Sequence, residues 1–132
     1  MTQTFTPFLT FQGGKAEAAM TFYCSVFPNS EIKRVNRYAA GMPGPEGTVV
    51  MAEFSLNGRS FLASDSPVKH DWDFTPAVSV FVTCTSAEEL DATFNALAEG
   101  GQVYMPIDNY GPLQRFGWVG DKFGVTWQLN LV

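Results

Sequence analysis

Apolar and polar positions along this chain sort into two successive copies of one pattern. Phe5 to Phe11 is aromatic and β-branched with Pro7 near its start, which predicts an extended strand. Gln12-Gly13-Gly14 breaks it. From Lys15 to Phe27 the apolar residues Ala16, Ala19, Met20, Tyr23, Val26 and Phe27 recur at a helical period, and Pro28-Asn29-Ser30 ends the helix. Glu31 to Tyr38 alternates around Ile32 and Val35 as a half-buried strand does. Ala40 to Gly47, rich in Gly and Pro, reads as a long loop. Thr48 to Leu56 alternates, with Met51, Glu53 and Ser55 on one face and Ala52, Phe54 and Leu56 on the other. Asn57-Gly58 supplies the two positive-φ positions of a type I′ turn, and Arg59 to Ser64 returns as the partner strand.

Asp65 to Thr75 has no period and reads as a connector. Ala77 to Thr83 then predicts a strand, with Val78, Val80 and Val82 on its helix-packing face. Ser86 and Glu89 form a capping box for a helix running to about Glu99 through Leu90, Phe94 and Leu97, and Gly100-Gly101 stops it. Gln102 to Met105 is a strand and Pro106 to Leu113 a loop, either a lid or an ordinary surface loop. Strands follow over Arg115 to Gly120 and Val125 to Leu131. At one offset Phe11 falls on Thr83, Ala18 on Leu90 and Phe22 on Phe94; at another Gly58 falls on Gly124 and Phe61 on Trp127. An internal two-fold repeat is the simplest account.

Composition narrows the class. The 132 residues predict a single domain, with repeat one at about 1–66, a connector at about 67–76 and repeat two at about 77–132. Hydrophobic residues make up 45% and charged residues 16%, a globular balance. A net charge of −5 and the lack of a basic stripe exclude a nucleic-acid or anionic-membrane partner. With no apolar span, no signal peptide and two unpaired cysteines, Cys24 and Cys84, a cytoplasmic protein is expected, both thiols acting as buried small hydrophobes.

Paired βαβββ units of this size resemble the vicinal-oxygen-chelate (glyoxalase/bleomycin-resistance/dioxygenase) superfamily. The stretch from Phe11 to the Phe22-Tyr23 pair resembles its first strand, turn and helix. Phe22 to Ser30, the Pro43-to-Thr48 loop and Gly117 to Gln128 resemble the PhnB-like branch, often labelled 3-demethylubiquinone-9 3-methyltransferase. The resemblance implies an α+β, glyoxalase-like fold: two βαβββ repeats forming a curved mixed sheet, a cup, with helices on its outer face. It also implies a homodimer. In metal-using relatives four strand positions supply ligands, and by spacing these fall on Phe8, Leu62, Ser79 and Gln128. Two cannot coordinate at all, Ser79 is a poor ligand and Gln128 a neutral one, so no metal and no cofactor are expected. His70, beside Asp71 and Asp73, reads as a solvated connector residue. The branch's methyltransferase label finds no Rossmann-type glycine fingerprint; Gly13-Gly14 reads as a helix-entry turn, or alternatively as an anion site at a helix N-terminus.

By strand parity the cup face carries Phe8, Thr10, Met51, Glu53, Ser55, Leu62, Ser64, Ser79, Phe81, Thr83, Arg115 and Gln128. That is an apolar pocket with a few polar groups, the composition of a small-molecule site. Glu53 is the candidate general base and Arg115 the candidate anion clamp, unless the two pair with each other or sit at the rim. Trp118 and Trp127 read as core. The expected function is binding of a small molecule without a catalytic metal. The alternatives are a metal-independent enzyme with Glu53 as base, a glyoxalase- or dioxygenase-type metalloenzyme, and last a methyltransferase.

Overall fold

A computed structural model of the chain describes residues 2–132. Along them run β1 (Phe8–Phe11), α1 (Ala16–Val26), β2 (Glu31–Arg37), β3 (Val49–Leu56), β4 (Arg59–Asp65), β5 (Ser79–Cys84), α2 (Ala87–Ala98), β6 (Gln102–Tyr110), β7 (Leu113–Gly120) and β8 (Thr126–Leu131). They form two compact units, one ending at Asp73 and the other running Phe74–Val132, so the boundary falls inside the predicted connector. Each unit is βαβββ with one mixed sheet, ordered β1-β4-β3-β2 in the first and β5-β8-β7-β6 in the second. In both, the opening strand lies parallel to the closing one. Such a pairing needs a long crossover, and the helix and two intervening strands supply it.

In the first unit α1 packs on the sheet face that carries Phe11, Ala52, Phe54, Phe61 and Ala63, all buried. The Tyr23 ring stacks on Phe54 at 6.2 Å. The helix starts without a local cap, because Lys15 makes no side-chain hydrogen bond to it. Asp65, at the far end of β4, does that job: its Oδ1 accepts from Ala16 N–H and its Oδ2 from Val49 N–H, both at 2.9 Å. Asn57 and Gly58 have φ of 48° and 83°, the positive values a type I′ turn requires.

In the second unit Ser86 accepts from Glu89 N–H at 3.1 Å. The Glu89 carboxylate accepts from Thr85 N–H, one residue short of the predicted reciprocal bond. Leu90, Phe94 and Leu97 of α2 bury against Val119, Trp127 and Leu129. Gly117 makes room for that contact: a Cβ there would lie 2.5 Å from the Phe94 ring. The buried residues of the two helices, Ala19 and Tyr23 against Leu90 and Phe94, match one position away from the predicted superposition of Ala18 and Phe22.

Two sequence expectations are corrected here. Val78 does not pack on a helix; it precedes β5 and is 82% exposed. Pro106 to Leu113 is neither lid nor surface loop, because β6 runs on to Tyr110 and β7 starts at Leu113. The misreading came from Pro106, which reads as a strand breaker. A proline survives on an edge strand, where its missing N–H costs no ladder bond, and β6 is an edge strand whose pairing with β7 is interrupted by bulges. Among the described residues no helix is long and apolar enough to cross a membrane.

Candidate functional site

Each sheet has a face turned away from its own helix, and most of the predicted site residues lie on these far faces. In the first unit β1 and β4 place Phe8 directly opposite Leu62 and Thr10 opposite Ser64. Glu53 of β3 stands across from Leu62 on its other side. Phe8 and Met51 are 45% and 39% exposed, large apolar groups left open on a sheet. Ser55 shares the parity but is buried.

Glu53 is engaged at both oxygens. Arg34 of β2, its register partner, reaches Oε1 at 2.8 Å, and Ser60 Oγ donates to Oε2 at 2.8 Å. These two contacts anchor the carboxylate on the sheet, and each oxygen keeps a second lone pair beyond them. The pairing of Glu53 with Arg115 is not seen. Arg34 was missed as its partner because the bulge between Ile32 and Arg34 shifts the register of β2, and strict alternation cannot show that.

In the second unit Ser79, Phe81 and Thr83 of β5 face the same way as Thr126, Gln128 and Asn130 of β8, their register partners. Phe81 is 52% exposed. Arg115 is corrected: it lies on the helix side of the sheet. Its guanidinium grips Asp91 of α2 through three hydrogen bonds of 2.6–3.0 Å. That carboxylate raises the guanidinium pKa still further above its ordinary value. Arg115 therefore ties α2 to β7 and leaves the far face. Trp118, three residues on, has the opposite parity and stands in line with Gln128. The hairpin register was the signal, and it reverses the sequence assignment of the two residues. Trp127 is buried as predicted, and its indole N–H donates to Asp121 at 2.9 Å.

The metal positions implied by the fold do not fit a cation. Phe8 and Leu62 face each other across β1 and β4, whereas Gln128 faces Phe81 and Ser79 faces Thr126. The strand pairing thus makes Phe81 the counterpart of Phe8, and the set reduces to two phenylalanines, a leucine and a carboxamide. Ser79 is committed elsewhere: Trp118 Nε1–H donates to its Oγ at 3.1 Å, and it lies 2.8 Å from Thr126 Oγ1, which itself donates to Val78 O. Among the described residues no three His, Cys, Asp or Glu side chains come together as a metal site.

The helix entry at Gly13-Gly14 does not fit an anion. Asp65 already places its carboxylate on the first N–H of α1, and a phosphate or carboxylate would meet that negative charge. His70 is not a freely solvated residue: its Nε2 lies 2.7 Å from Ser66 Oγ and its ring stacks on Trp72 at 4.1 Å. Gln12 braces this turn by accepting from His70 N–H and donating to Trp72 O. Cys84 is buried, while Cys24 is only partly so.

A family model described as 3-demethylubiquinone-9 3-methyltransferase matches residues 3–130. The chain belongs to that family. It is 50% identical to the PhnB protein from Bacillus cereus, whose structure superposes with a TM-score of 0.94 over 98% of this chain and all of that one. It is 23% identical to protein YjdN of Escherichia coli strain K12, over 96% of this chain and 93% of the relative. A glyoxylase/bleomycin resistance protein/dioxygenase domain from Frankia shares the fold, with a TM-score of 0.70 at 14% identity, over 99% of this chain and 92% of that one. The family and the shared fold agree with a PhnB-like protein of glyoxalase-like fold.

Proposed function

We propose that this PhnB-like protein binds a small molecule on the far faces of its sheets, with no catalytic metal taking part. The observation that carries the reading is the substitution pattern at the superfamily's ligand positions. Phe8, Leu62 and Phe81 stand where a chelating site needs donors, and they leave apolar surface there instead. Apolar surface with a few fixed polar groups is what a small-ligand site offers. Thr10, Ser64, Ser79 and Gln128 supply the polar part. Glu53 enters as a fixed polar group, anchored by Arg34 and Ser60. Methyl transfer, the activity in the family's name, finds no support in a helix entry already filled by Asp65. A homodimer belongs to the same proposal, since exposed Phe8, Met51 and Phe81 are surface that a second copy would cover.

The test is a metabolite panel followed by thermal shift and amide chemical-shift mapping, on protein purified without chelators and assayed for metal. The expected result is a hit whose shifts map to far-face residues in metal-free protein. Stoichiometric metal retained through purification, or shifts confined to the helix faces, would sink the reading.

A further inference from the structure

The far face of the second unit has a construction of its own. One row across the sheet, Ser79–Thr126–Gly120, is made of small residues. The next row, Phe81–Gln128–Trp118, has an aromatic residue on each side of a carboxamide. Trp118 and Ser79 sit two strands apart, about 10 Å between backbones, yet the indole N–H reaches Ser79 Oγ at 3.1 Å. The indole must therefore lie across β8, over Thr126, which is only 1% exposed despite facing away from the helix. Tyr104 covers the end of the small row, its ring where a Cβ on Gly120 would point, and it tilts at 44° against Trp118 with centroids 5.5 Å apart.

Hydrogen bonds lock this arrangement in one direction. The indole can only donate and the Val78 carbonyl can only accept. Ser79 must then accept from Trp118 and donate to Thr126, which donates to Val78 O. A pre-oriented aromatic face loses little entropy when a ligand stacks on it. Beside it, two carboxamides alternate along β8. Gln128 is tied to β5 and β7 through its backbone, and its carboxamide has no hydrogen-bond partner among the described residues, while Asn130 Oδ1 is shielded from solvent with no partner. Their backbones are about 6.6 Å apart. The far-face positions of β5 and β8, namely Ser79, Phe81, Thr83, Thr126, Gln128 and Asn130, carry no charge, in contrast to the Arg34–Glu53 pair of the first unit.

Building on the small-molecule reading, we propose that Trp118 is the stacking platform for a flat, uncharged heteroaromatic ligand whose donor–acceptor edge is read by the Gln128 carboxamide. The ligand class is a fused-ring lactam or its equivalent, with a ring N–H beside a carbonyl. A carboxamide matches that edge with two antiparallel hydrogen bonds, and the indole supplies the stacking surface.

Isocarbostyril is the probe, titrated at millimolar concentration against the full chain and followed by the indole and amide N–H resonances. It should shift the Trp118 indole signal and the Gln128 backbone. Its ring-saturated counterpart should bind about tenfold more weakly or worse, the loss expected when stacking is removed. Gln128→Leu should abolish the preference for isocarbostyril over its N-methyl derivative, and Trp118→Leu should lose binding. If Trp118→Leu does not fold, Ser79→Ala keeps the ring, frees it from its anchor and should weaken binding by itself. Equal binding of the saturated lactam, an unchanged N-methyl preference in Gln128→Leu, or Ser79→Ala binding as tightly as the parent chain overturns the proposal. Phenyl phosphate separates the two levels of argument. If it alone binds, with shifts at Glu53 and Arg34, the platform falls while small-molecule binding stands; if no probe shifts either far face, both fall.

Discussion

Asp65→Ala tests how the first unit is held together. The carboxylate is 3% exposed and serves two backbone donors that belong to different elements, Ala16 N–H at the start of α1 and Val49 N–H at the start of β3. Truncation leaves both without an acceptor in a buried place. Each orphaned donor costs about 1–3 kcal/mol, and losing a negative charge at a helix N-terminus adds roughly 0.3–1 kcal/mol. The expected loss is therefore about 2–7 kcal/mol, a large share of the roughly 5–15 kcal/mol that holds a domain together. The midpoint of thermal unfolding should drop by about 10 °C or more. Asp65→Asn keeps one acceptor oxygen but turns an NH2 towards the second donor, so it should lose about half as much. Urea unfolding followed by circular dichroism gives the free energies. Hydrogen exchange adds the specific readout, because the Ala16 and Val49 amides should lose protection before their neighbours. A loss below about 1 kcal/mol, or an Asn variant as stable as Asp, would refute the bridging role.

Gly101→Ala should destabilise more than Gly117→Ala in the same urea assay. The new Cβ of the first meets the Gly120 carbonyl, which is backbone, whereas the second meets the Phe94 ring at 2.5 Å, and a side chain can move. Overpacking of the second kind costs about 1–3 kcal/mol. Burial, helped by the charge of Glu89, pushes the Cys84 thiol up from 9.0 to about 11. Iodoacetamide at pH 8 should thus spare Cys84 in the folded chain and label it after denaturation. The same shift means that stability from the neutral thiol is fully present below pH 9.0 and is lost as pH rises through about 11, which a Cys84→Ala control should remove. Arg115→Gln should lower thermal stability in a salt-dependent way and leave ligand titrations unchanged, because its guanidinium faces Asp91 rather than the far face; a ligand-affinity defect would contradict that placement.

Local pattern and chain punctuation determined most of the architecture. The apolar periods of α1 and α2, the Asn57-Gly58 turn and the internal repeat are written in neighbouring residues, so both βαβββ units were legible in order. That Phe8 and Leu62 offer no metal donor was legible too, because neither side chain can coordinate in any fold, whereas the place of Phe81 opposite Gln128 came only from the strand pairing. What the sequence could not show were relations between residues distant along the chain. Asp65 caps a helix that begins 49 positions earlier. Glu53 is taken by Arg34 because a bulge shifts β2 by one residue. Arg115 and Trp118 exchange faces because the register of β7 against β8, not the composition of β7, sets which side is which. A strand's side chains alternate strictly, so a one-residue error in register inverts the whole assignment. Only the paired sheet supplies that register, and with it the row that sets Gln128 between Phe81 and Trp118.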